Sequence, residues 1–160
     1  MRQLLKQFVV KYVGGHERTL DPTDSHEKYK KSGLTEEEAV LIRRKIKNAF
    51  DENKIYRNNT LCLDDLSDHI KENRYKVSQV INTFFSKNFY SFLNEYRIEE
   101  AKDLLVENPS LSVKAIMYEV GFNSKNSFYS AFKKTTGYSP NDYRTAVNTG
   151  FDRQHEMQMA

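Results

Sequence analysis

Apolar side chains recur at helical spacing between residues 111 and 144, and residues that favour turns or caps interrupt them. The first helix of this stretch has four apolar residues on one predicted face: Val113, Ile116, Met117 and Val120. Ser112 stands where it can cap this helix. Gly121 follows at the position where a chain leaving a helix adopts positive φ, and we expect Phe122 to fill the corner. The pattern predicts a short amphipathic helix followed by a tight turn.

A second helix is predicted directly after this turn, with Ser124 as its cap and Gly137 at its end. Its apolar side chains fall on one face: Phe128, Ala131 and Phe132. The other side chains are polar or basic, so we expect that face to meet water or a partner. Ser139 then caps a third helix with Pro140 at its first position, where a missing N–H costs nothing.

The same apolar skeleton occurs about 50 residues earlier, in residues 61–93, with a one-residue gap in the turn. The aligned pairs are Leu61 with Leu111, Leu66 with Ile116, Ile70 with Val120, Val77 with Phe128, and Ile81 with Phe132. Asn88 and Phe89 take the places of Ser139 and Pro140, while Ser86 replaces Gly137. The chain therefore contains two helix-turn-helix units, a pattern whose second helix enters the major groove of DNA in many proteins.

One continuous helix is predicted between the two units, until Asn108 and Pro109 end it. Its apolar residues follow helical spacing: Phe92, Leu93, Tyr96, Ile98, Ala101, Leu104 and Leu105. A helix of about 18 residues spans about 27 Å, which is close to the roughly 34 Å between successive major-groove faces on one side of a duplex. One chain could therefore contact two adjacent grooves.

Residues 121–144, GFNSKNSFYSAFKKTTGYSPNDYR, closely resemble the C-terminal motif of the AraC/XylS family of bacterial transcription regulators. The resemblance implies an all-α fold with two helix-turn-helix subdomains joined by a long connector helix. It also implies sequence-specific binding of double-stranded DNA and regulation of transcription, with RNA polymerase as an expected partner. The sequence leaves open whether the protein is an activator or a repressor. A cytoplasmic location follows from such a role, and neither a cofactor nor a small-molecule ligand is expected in this segment.

The predicted organisation has three parts, bounded at residues 57 and 147. Residues 1–57 form an N-terminal linker with one helix at about 36–53, residues 58–147 form the DNA-binding domain, and residues 148–160 form a flexible tail. Within the domain, the first helix-turn-helix covers about 61–86, the connector helix about 89–107 and the second helix-turn-helix about 111–137, with a last helix from about 140.

The N-terminal part gives weaker patterns. Residues 1–13 fit either a helix or a strand, and their basic amphipathic character leaves open a membrane-surface role. Residues 14–33 contain glycine, proline, serine and charge, which predicts a linker. This linker and the following helix resemble the segment that joins the DNA-binding end of some membrane-anchored AraC-like sensors to their transmembrane part. A sensor or membrane domain is therefore a possible partner or tether.

Thr35 and Glu38 form a predicted capping box at the start of the N-terminal helix. The candidate buried residues of this helix are Val40, Ile42, Ile46, Ala49 and Phe50. Its middle carries four basic residues: Arg43, Arg44, Lys45 and Lys47. These residues fit an ordinary solvated face, and they also fit an extra phosphate contact or an interface with a sensor.

Charge is unevenly distributed along the chain. Residues 58–150 hold equal numbers of basic and acidic residues, although the whole chain has a formal net charge of +3. Residues 71–88 and 124–144, however, each carry four basic residues and one acidic residue. Both positive segments contain the second helix of a predicted unit, which is where phosphate binding requires positive charge.

The exposed faces of these two helices give the candidate DNA contacts. Side chains that share one face are expected to contact bases: Tyr75, Ser78, Gln79, Asn82, Asn126, Tyr129 and Ser130. Amide side chains such as those of Gln79 and Asn126 can form two hydrogen bonds with adenine. Basic residues around these faces are expected to contact phosphates: Arg74, Lys76, Lys125, Lys133 and Lys134.

Other function classes have little support in the sequence. The four histidines lack metal-ligand spacing, and no glycine-rich phosphate loop or nucleophile motif occurs, so an enzyme or metal site is not expected. Cys62 is the sole cysteine and takes the place of Ser112, where it could act as a cap, a buried thiol or a redox sensor. The alternative function is a helix-turn-helix module that binds protein without specific DNA binding.

Overall fold

A computed structural model describes the backbone of residues 34–158 and the side chains of residues 34–149. The chain divides into two compact units, Met1–Gly33 and Leu34–Ala160, and the described residues all lie in the second. The predictions for residues 1–13 and 14–33 lie outside the described residues. Over residues 34–158 the chain forms seven α-helices and one 3-10 turn without any strand, which confirms the all-α prediction.

The helices follow one another with short connections. Their bounds are α1 Glu36–Asp51, the 3-10 turn Ile55–Arg57, α2 Leu63–Ile70, α3 Arg74–Phe85, α4 Phe89–Glu107, α5 Val113–Glu119, α6 Lys125–Thr136 and α7 Pro140–Gln158. The first helix-turn-helix unit is α2 and α3, the second is α5 and α6, and α4 connects them. Because α7 continues to Gln158, it includes most of the predicted tail, whose flexibility stays a prediction.

Side-chain caps begin the helices where the sequence predicted them. Asn88, Ser112 and Ser124 accept hydrogen bonds from backbone N–H groups in the first turns of α4, α5 and α6, at 2.8, 3.1 and 3.4 Å. Thr35 and Glu38 form the predicted capping box of α1. These bonds satisfy N–H groups that the helix itself leaves without partners.

The corners of both units have left-handed backbone conformations. Gly121 has a φ value of +94°, as the sequence predicted, and Gly137, which was predicted to end its helix, has a φ value of +80°. At the corresponding corners of the first unit, Lys71 and Ser86 adopt φ values of 54° and 53° without being glycines. The serine at position 86 therefore preserves the corner geometry, at a backbone cost that its packing must offset.

The first core lies where α1 packs against α2 and α3 and meets the N-terminal half of α4. The ring of Phe50 on α1 packs at an angle of 58° against that of Phe92 on α4, with the ring centroids 4.8 Å apart. The buried residues of α1 are Ala39, Ile42, Ile46, Ala49 and Phe50. The prediction was wrong for Val40, which is 54% exposed, because the packed face of α1 passes through Ala39 instead. The compact unit begins at Leu34 and therefore includes α1. The predicted start of the DNA-binding domain after residue 57 stays a prediction.

The second core lies on the C-terminal half of α4, against which α5, α6 and α7 pack. Its buried residues are Ile98, Ala101, Leu105, Ile116, Met117, Val120, Phe122, Phe128 and Phe132. The repeated apolar skeleton is buried in both units except at one pair: Leu61 is buried, whereas Leu111 is exposed. The connector helix therefore carries one core at each end.

Candidate nucleic-acid interface

The second helix of each unit presents polar side chains at its start. On α3, the Tyr75 side chain is 77% exposed and Asn82 is exposed, while Ser78 and Gln79 are half-buried. These positions are spaced by three or four residues, so they follow one face of the helix. The structure thus brings the four predicted base contacts of α3 to one face, although two of them are partly covered.

On α6, the corresponding face is more open. Asn126 and Ser130 are exposed, and Tyr129 is half-buried with its ring edge against Phe128 at 5.9 Å. The Lys125 ammonium lies over the Tyr129 ring at 5.3 Å, a cation–π contact that holds the lysine close to the predicted base-contacting face. The N-terminal half of α6 therefore presents amide, hydroxyl and basic groups side by side.

The basic residues of α6 remain available for an anion. Lys125, Lys133 and Lys134 are exposed, and none of them forms an ion pair with the residues that the structure describes. Ammonium groups without a carboxylate partner can bind phosphate without first breaking an ion pair. The second unit therefore offers the more accessible positive surface.

The two basic residues predicted on α3 already have acidic partners. Arg74 lies 2.7 Å from Asp64, with both side chains at least half exposed, and Lys76 lies 3.0 Å from Glu38 on α1. Lys76 holds the pKa of Glu38 below its usual value through a hydrogen bond, and the Thr35 backbone N–H adds to this effect. Exposed pairs of this kind contribute little stability, so a phosphate can compete for either cation.

The basic residues of α1 divide into two kinds. Lys45 binds Glu72 at 2.5 Å and donates to the Ile70 carbonyl at 3.3 Å, and Arg43 lies over the Phe84 ring at 5.2 Å. These two side chains attach α1 to the first unit. Arg44 and Lys47 are exposed, so a phosphate or sensor contact by them stays a prediction.

Sequence reasoning missed a cluster of charged residues between the two units. Arg97 is only 6% exposed and donates to the carbonyls of Tyr56 and Asn58, both at 2.8 Å. Glu100 is 9% exposed and binds Arg57 at 2.5 and 2.9 Å and Lys54 at 2.7 Å. We call residues 54–59 the bridging segment.

Burial and neighbouring charges shift the pKa values of the residues in this cluster. Burial lowers the pKa of Arg97 to about 10, which still leaves the guanidinium charged at neutral pH. Burial raises the pKa of Glu100, but the hydrogen bonds and charges of Arg57 and Lys54 outweigh this effect and bring it below its usual value. Burial and the nearby Glu100 raise the pKa of Tyr56 to about 12. The bridging segment is thus held by charged groups that stay ionised at neutral pH.

Three other features that the sequence raised are a metal site, a membrane span and a cap at Cys62. No group of His, Cys, Asp or Glu suited to a metal ion occurs within the described part of the chain. No described helix combines the length and apolar character needed to cross a membrane. At Cys62 the backbone N–H donates to Asp65 at 2.8 Å, so the reciprocal half of a capping box is present at the start of α2.

Comparisons with known proteins agree with this geometry. A sequence model of the helix-turn-helix domain matches residues 66–146, just over half of the chain. An uncharacterised helix-turn-helix transcriptional regulator in the cgkA 5' region of Pseudoalteromonas carrageenovora is 31% identical over 91 residues, which are 57% of this chain and 53% of that protein. The melibiose operon regulatory protein of Escherichia coli is 29% identical over 84 residues, which are 52% of this chain and 28% of that protein.

A solved structure shows the same arrangement of helices. The C-terminal domain of AraT, a response regulator from Geobacillus stearothermophilus, superimposes with a TM-score of 0.58 at 26% identity, covering 72% of this chain and 88% of that domain. The matched family and relatives are transcription regulators rather than enzymes. The chain spans about half or less of the length of these curated relatives, and it belongs to the AraC-type helix-turn-helix family, whose DNA-binding domain it carries.

Proposed function

We propose that this protein recognises its operator by inserting α3 and α6 into adjacent major grooves on one side of a duplex. The observation that supports this most strongly is the repetition of one exposed polar face on two corresponding helices, each surrounded by basic residues. The connector α4 has 19 residues, or about 28 Å at 1.5 Å per residue. A separation of this order fits neighbouring grooves, or grooves brought together by slight bending of the DNA.

Within this proposal, base recognition belongs to the shared polar faces. Asn126 is exposed at the second position of α6, and its amide can donate to and accept from the major-groove edge of adenine. Tyr75, Ser78, Gln79 and Asn82 serve the same purpose on α3, and Tyr129 and Ser130 complete the surface on α6. A bidentate contact of this kind contributes about 1–3 kcal/mol of discrimination between bases.

Phosphate binding belongs to the flanking basic residues. Lys125, Lys133 and Lys134 on α6 bind without losing an acidic partner among the described residues, whereas Arg74 and Lys76 exchange Asp64 and Glu38 for phosphate oxygens. The second unit therefore contributes more electrostatic affinity than the first.

Partners beyond DNA complete the proposed function. A regulator that activates transcription acts on RNA polymerase, so we include the polymerase as a partner and the bacterial cytoplasm as the location. A sensor or membrane domain supplies the input signal in this proposal. Co-purification of RNA polymerase with the protein on operator DNA, and not on DNA without the operator, tests the polymerase contact.

The decisive experiment is selection of bound duplexes from a randomised pool at low salt, followed by binding of the enriched sequence across a salt series. We expect two enriched motifs about one helical turn apart, and log K that falls linearly with log salt concentration. Enrichment of a single motif would contradict the use of both helices. Absence of any retained DNA would favour the alternative, a protein-binding module.

Two substitutions on α6 separate base contacts from phosphate contacts in the same assay. Asn126→Ala is expected to relax the preference at one base pair, by about 5-fold to 150-fold, since 1–3 kcal/mol of discrimination is lost. Lys134→Ala, the matched control on the same helix, should weaken binding to all sequences alike and reduce the salt slope by about 1. The proposed division of roles fails if Lys134→Ala changes sequence preference while Asn126→Ala does not.

A further inference from the structure

The bridging segment contacts both helix-turn-helix units. The Tyr56 ring lies against the rings of Phe50 and Tyr96 in the first core, with centroid separations of 6.1 and 5.7 Å. Its backbone carbonyl, in contrast, accepts the hydrogen bond from Arg97 on the connector. One residue thus anchors its side chain in the first unit and directs its backbone toward the middle of α4.

The same backbone also touches the turn of the second helix-turn-helix unit. A side-chain carbon at Gly121 would lie 2.7 Å from the Tyr56 oxygen and 2.8 Å from the Arg57 oxygen, which shows how closely the two backbones approach. Arg97 contributes here as well, because its guanidinium lies 5.4 Å from the centre of the Phe122 ring. The turn between α5 and α6 therefore rests against the bridging segment.

Polar side chains extend this contact. Arg57 binds Glu100 on the connector and also lies 3.3 Å from Glu119 at the end of α5. Asn123, which follows the turn of the second unit, donates to the Asn59 carbonyl at 3.4 Å. The contacts thus involve the connector, the last turn of α5 and the residues just before α6.

We propose that the bridging segment fixes the orientation of the second helix-turn-helix unit relative to the first, and thereby sets the half-site spacing that the protein accepts. Arg57 and Glu100 are the positioning residues of this device. A connector helix alone holds the two units at its ends. Only the stiffness of that helix then limits bending and twisting of one unit relative to the other. A second connection, offset from the helix and bonded to the turn of the distant unit, restrains both motions.

This inference rests on the proposed function, since spacing has meaning only if α3 and α6 both contact DNA. Inserting one base pair between half-sites moves the second site by about 3.4 Å and turns it by about 35°. If the two units are rigidly oriented, they can bind the shifted sites only by straining the DNA or losing contacts. If their connection is weakened, the second unit can move part of the way toward its shifted site.

The test compares binding to the selected operator with binding to the same operator carrying one inserted base pair. The ratio of the two affinities measures spacing discrimination. In Glu100→Gln and in Arg57→Gln we expect this ratio to fall about fivefold from its wild-type value, because coupling between the units is weakened. Arg57 is partly exposed, so its variant is expected to fold even if a change at the buried Glu100 is not tolerated.

The matched control is Glu99→Gln, which removes an ion pair of 2.7 Å to Lys102 within the same helix. It should leave the spacing ratio unchanged. A general loss of stability would lower affinity for both operators equally and would also preserve the ratio. An unchanged ratio in both Glu100→Gln and Arg57→Gln would overturn the proposal.

A measurement on the free protein separates this inference from the DNA proposal. Spin labels at Asp68→Cys on α2 and Thr135→Cys on α6, in a Cys62→Ser background, report the distance between the units. We expect a narrow distribution in the otherwise unchanged protein and a broader one after Glu100→Gln or Arg57→Gln. Equal widths would overturn the role of the bridging segment. Failure to enrich paired half-sites from the randomised pool would instead overturn the two-groove proposal and the spacing consequence drawn from it, and would leave the orienting role of the segment intact.

Discussion

At the scale of single residues, the two glycines at helix corners look alike in sequence but differ in their surroundings. Gly121 and Gly137 both follow a helix and both adopt positive φ. Gly121, however, lies against the backbone of the bridging segment, whereas a side-chain carbon at Gly137 would meet nothing within 4 Å. The sequence predicts the backbone conformation at both positions, because that conformation depends on the local chain. It does not predict the close approach at Gly121, which depends on residues far away in sequence.

This difference predicts unequal costs for the same substitution. Gly137→Ala should lower the free energy of unfolding by about 1–2 kcal/mol, which is the cost of a left-handed conformation for an L residue. Gly121→Ala should cost more, about 3 kcal/mol or above, because the added carbon also displaces the Tyr56 and Arg57 carbonyls. Urea denaturation of both variants measures the difference. Equal midpoints would mean that the bridging segment moves aside freely.

Arg97 and Glu100 show a second limit of what single residues in the sequence can predict. Both fall on the stripe of α4 that also carries Leu93, Ala101 and Leu105, and this periodicity was a usable signal that a charged residue is buried. Glu100 is the acidic residue at the centre of the cluster. Its partners, Arg57 and Lys54, come from a segment more than 40 positions earlier, as the hydrogen-bond separations show. No local pattern identifies such a pair.

At the scale of elements, α1 has a larger structural role than the sequence indicated. Its capping box follows from local residues and was predicted correctly, while the helix ends at Asp51, slightly before the predicted end at about residue 53. Which face it buries depends on α2 and α3, and that face includes Ala39 rather than Val40. A small alanine at the helix interface permits close approach, whereas a larger apolar residue on the neighbouring face can remain exposed. The helix therefore completes the first core.

Two substitutions on α1 test this role. Ile46 is fully buried, so Ile46→Ala should destabilise the protein by about 2–5 kcal/mol through lost burial and a cavity. Val40→Ala, the control on the exposed face, should change the stability by no more than about 0.5 kcal/mol. Thermal or urea unfolding distinguishes them. Similar small effects for both would show that α1 is dispensable for the first unit.

At the scale of the whole molecule, the Glu100 cluster connects stability to pH. The pKa of Glu100 is lowered in the folded protein from its ordinary value of 4.5. A carboxyl group with a lowered pKa contributes stability that is present above the unfolded-state value and is lost as pH falls through the folded-state value. The cluster should therefore weaken below about pH 4.5, and not on the alkaline side.

The corresponding experiment compares the wild type with Glu100→Gln as a function of pH. Near neutral pH the variant should be less stable by about 1–2 kcal/mol, a modest value because Arg57 and Lys54 are partly exposed. The difference should shrink as pH falls below about 4.5, and it should disappear once Glu100 is protonated in the folded protein as well. Asp103, whose pKa is raised by burial and by the nearby Glu107 and Glu99, acts in the opposite direction but is present in both proteins. A difference that stays constant down to pH 3 would contradict this assignment.

The sequence by itself determined the helices, their caps, the repeated helix-turn-helix units and the family. These features depend on residues within about one turn of each other, or on a motif that is contiguous in the chain, so local pattern is sufficient. Periodicity also placed the predicted base contacts of each helix on one face, although Ser78, Gln79 and Tyr129 are half-buried. Their exact roles toward bases and phosphates stay predictions.

Only the tertiary structure decided which groups already have partners and how the two units are joined. Arg74 and Lys76 bind acidic residues from other helices, while the lysines of α6 do not, and this difference cannot be read from their similar sequence environments. The sequence divided the bridging segment between the N-terminal linker, which was predicted to end at residue 57, and the DNA-binding domain. Its function depends on Arg97, Glu100 and Gly121, which come close only when α4 and the second unit fold against it. Contacts between residues far apart in sequence form only when complete helices pack against one another. That packing depends on side chains from the whole described part of the chain, so no local pattern predicts it.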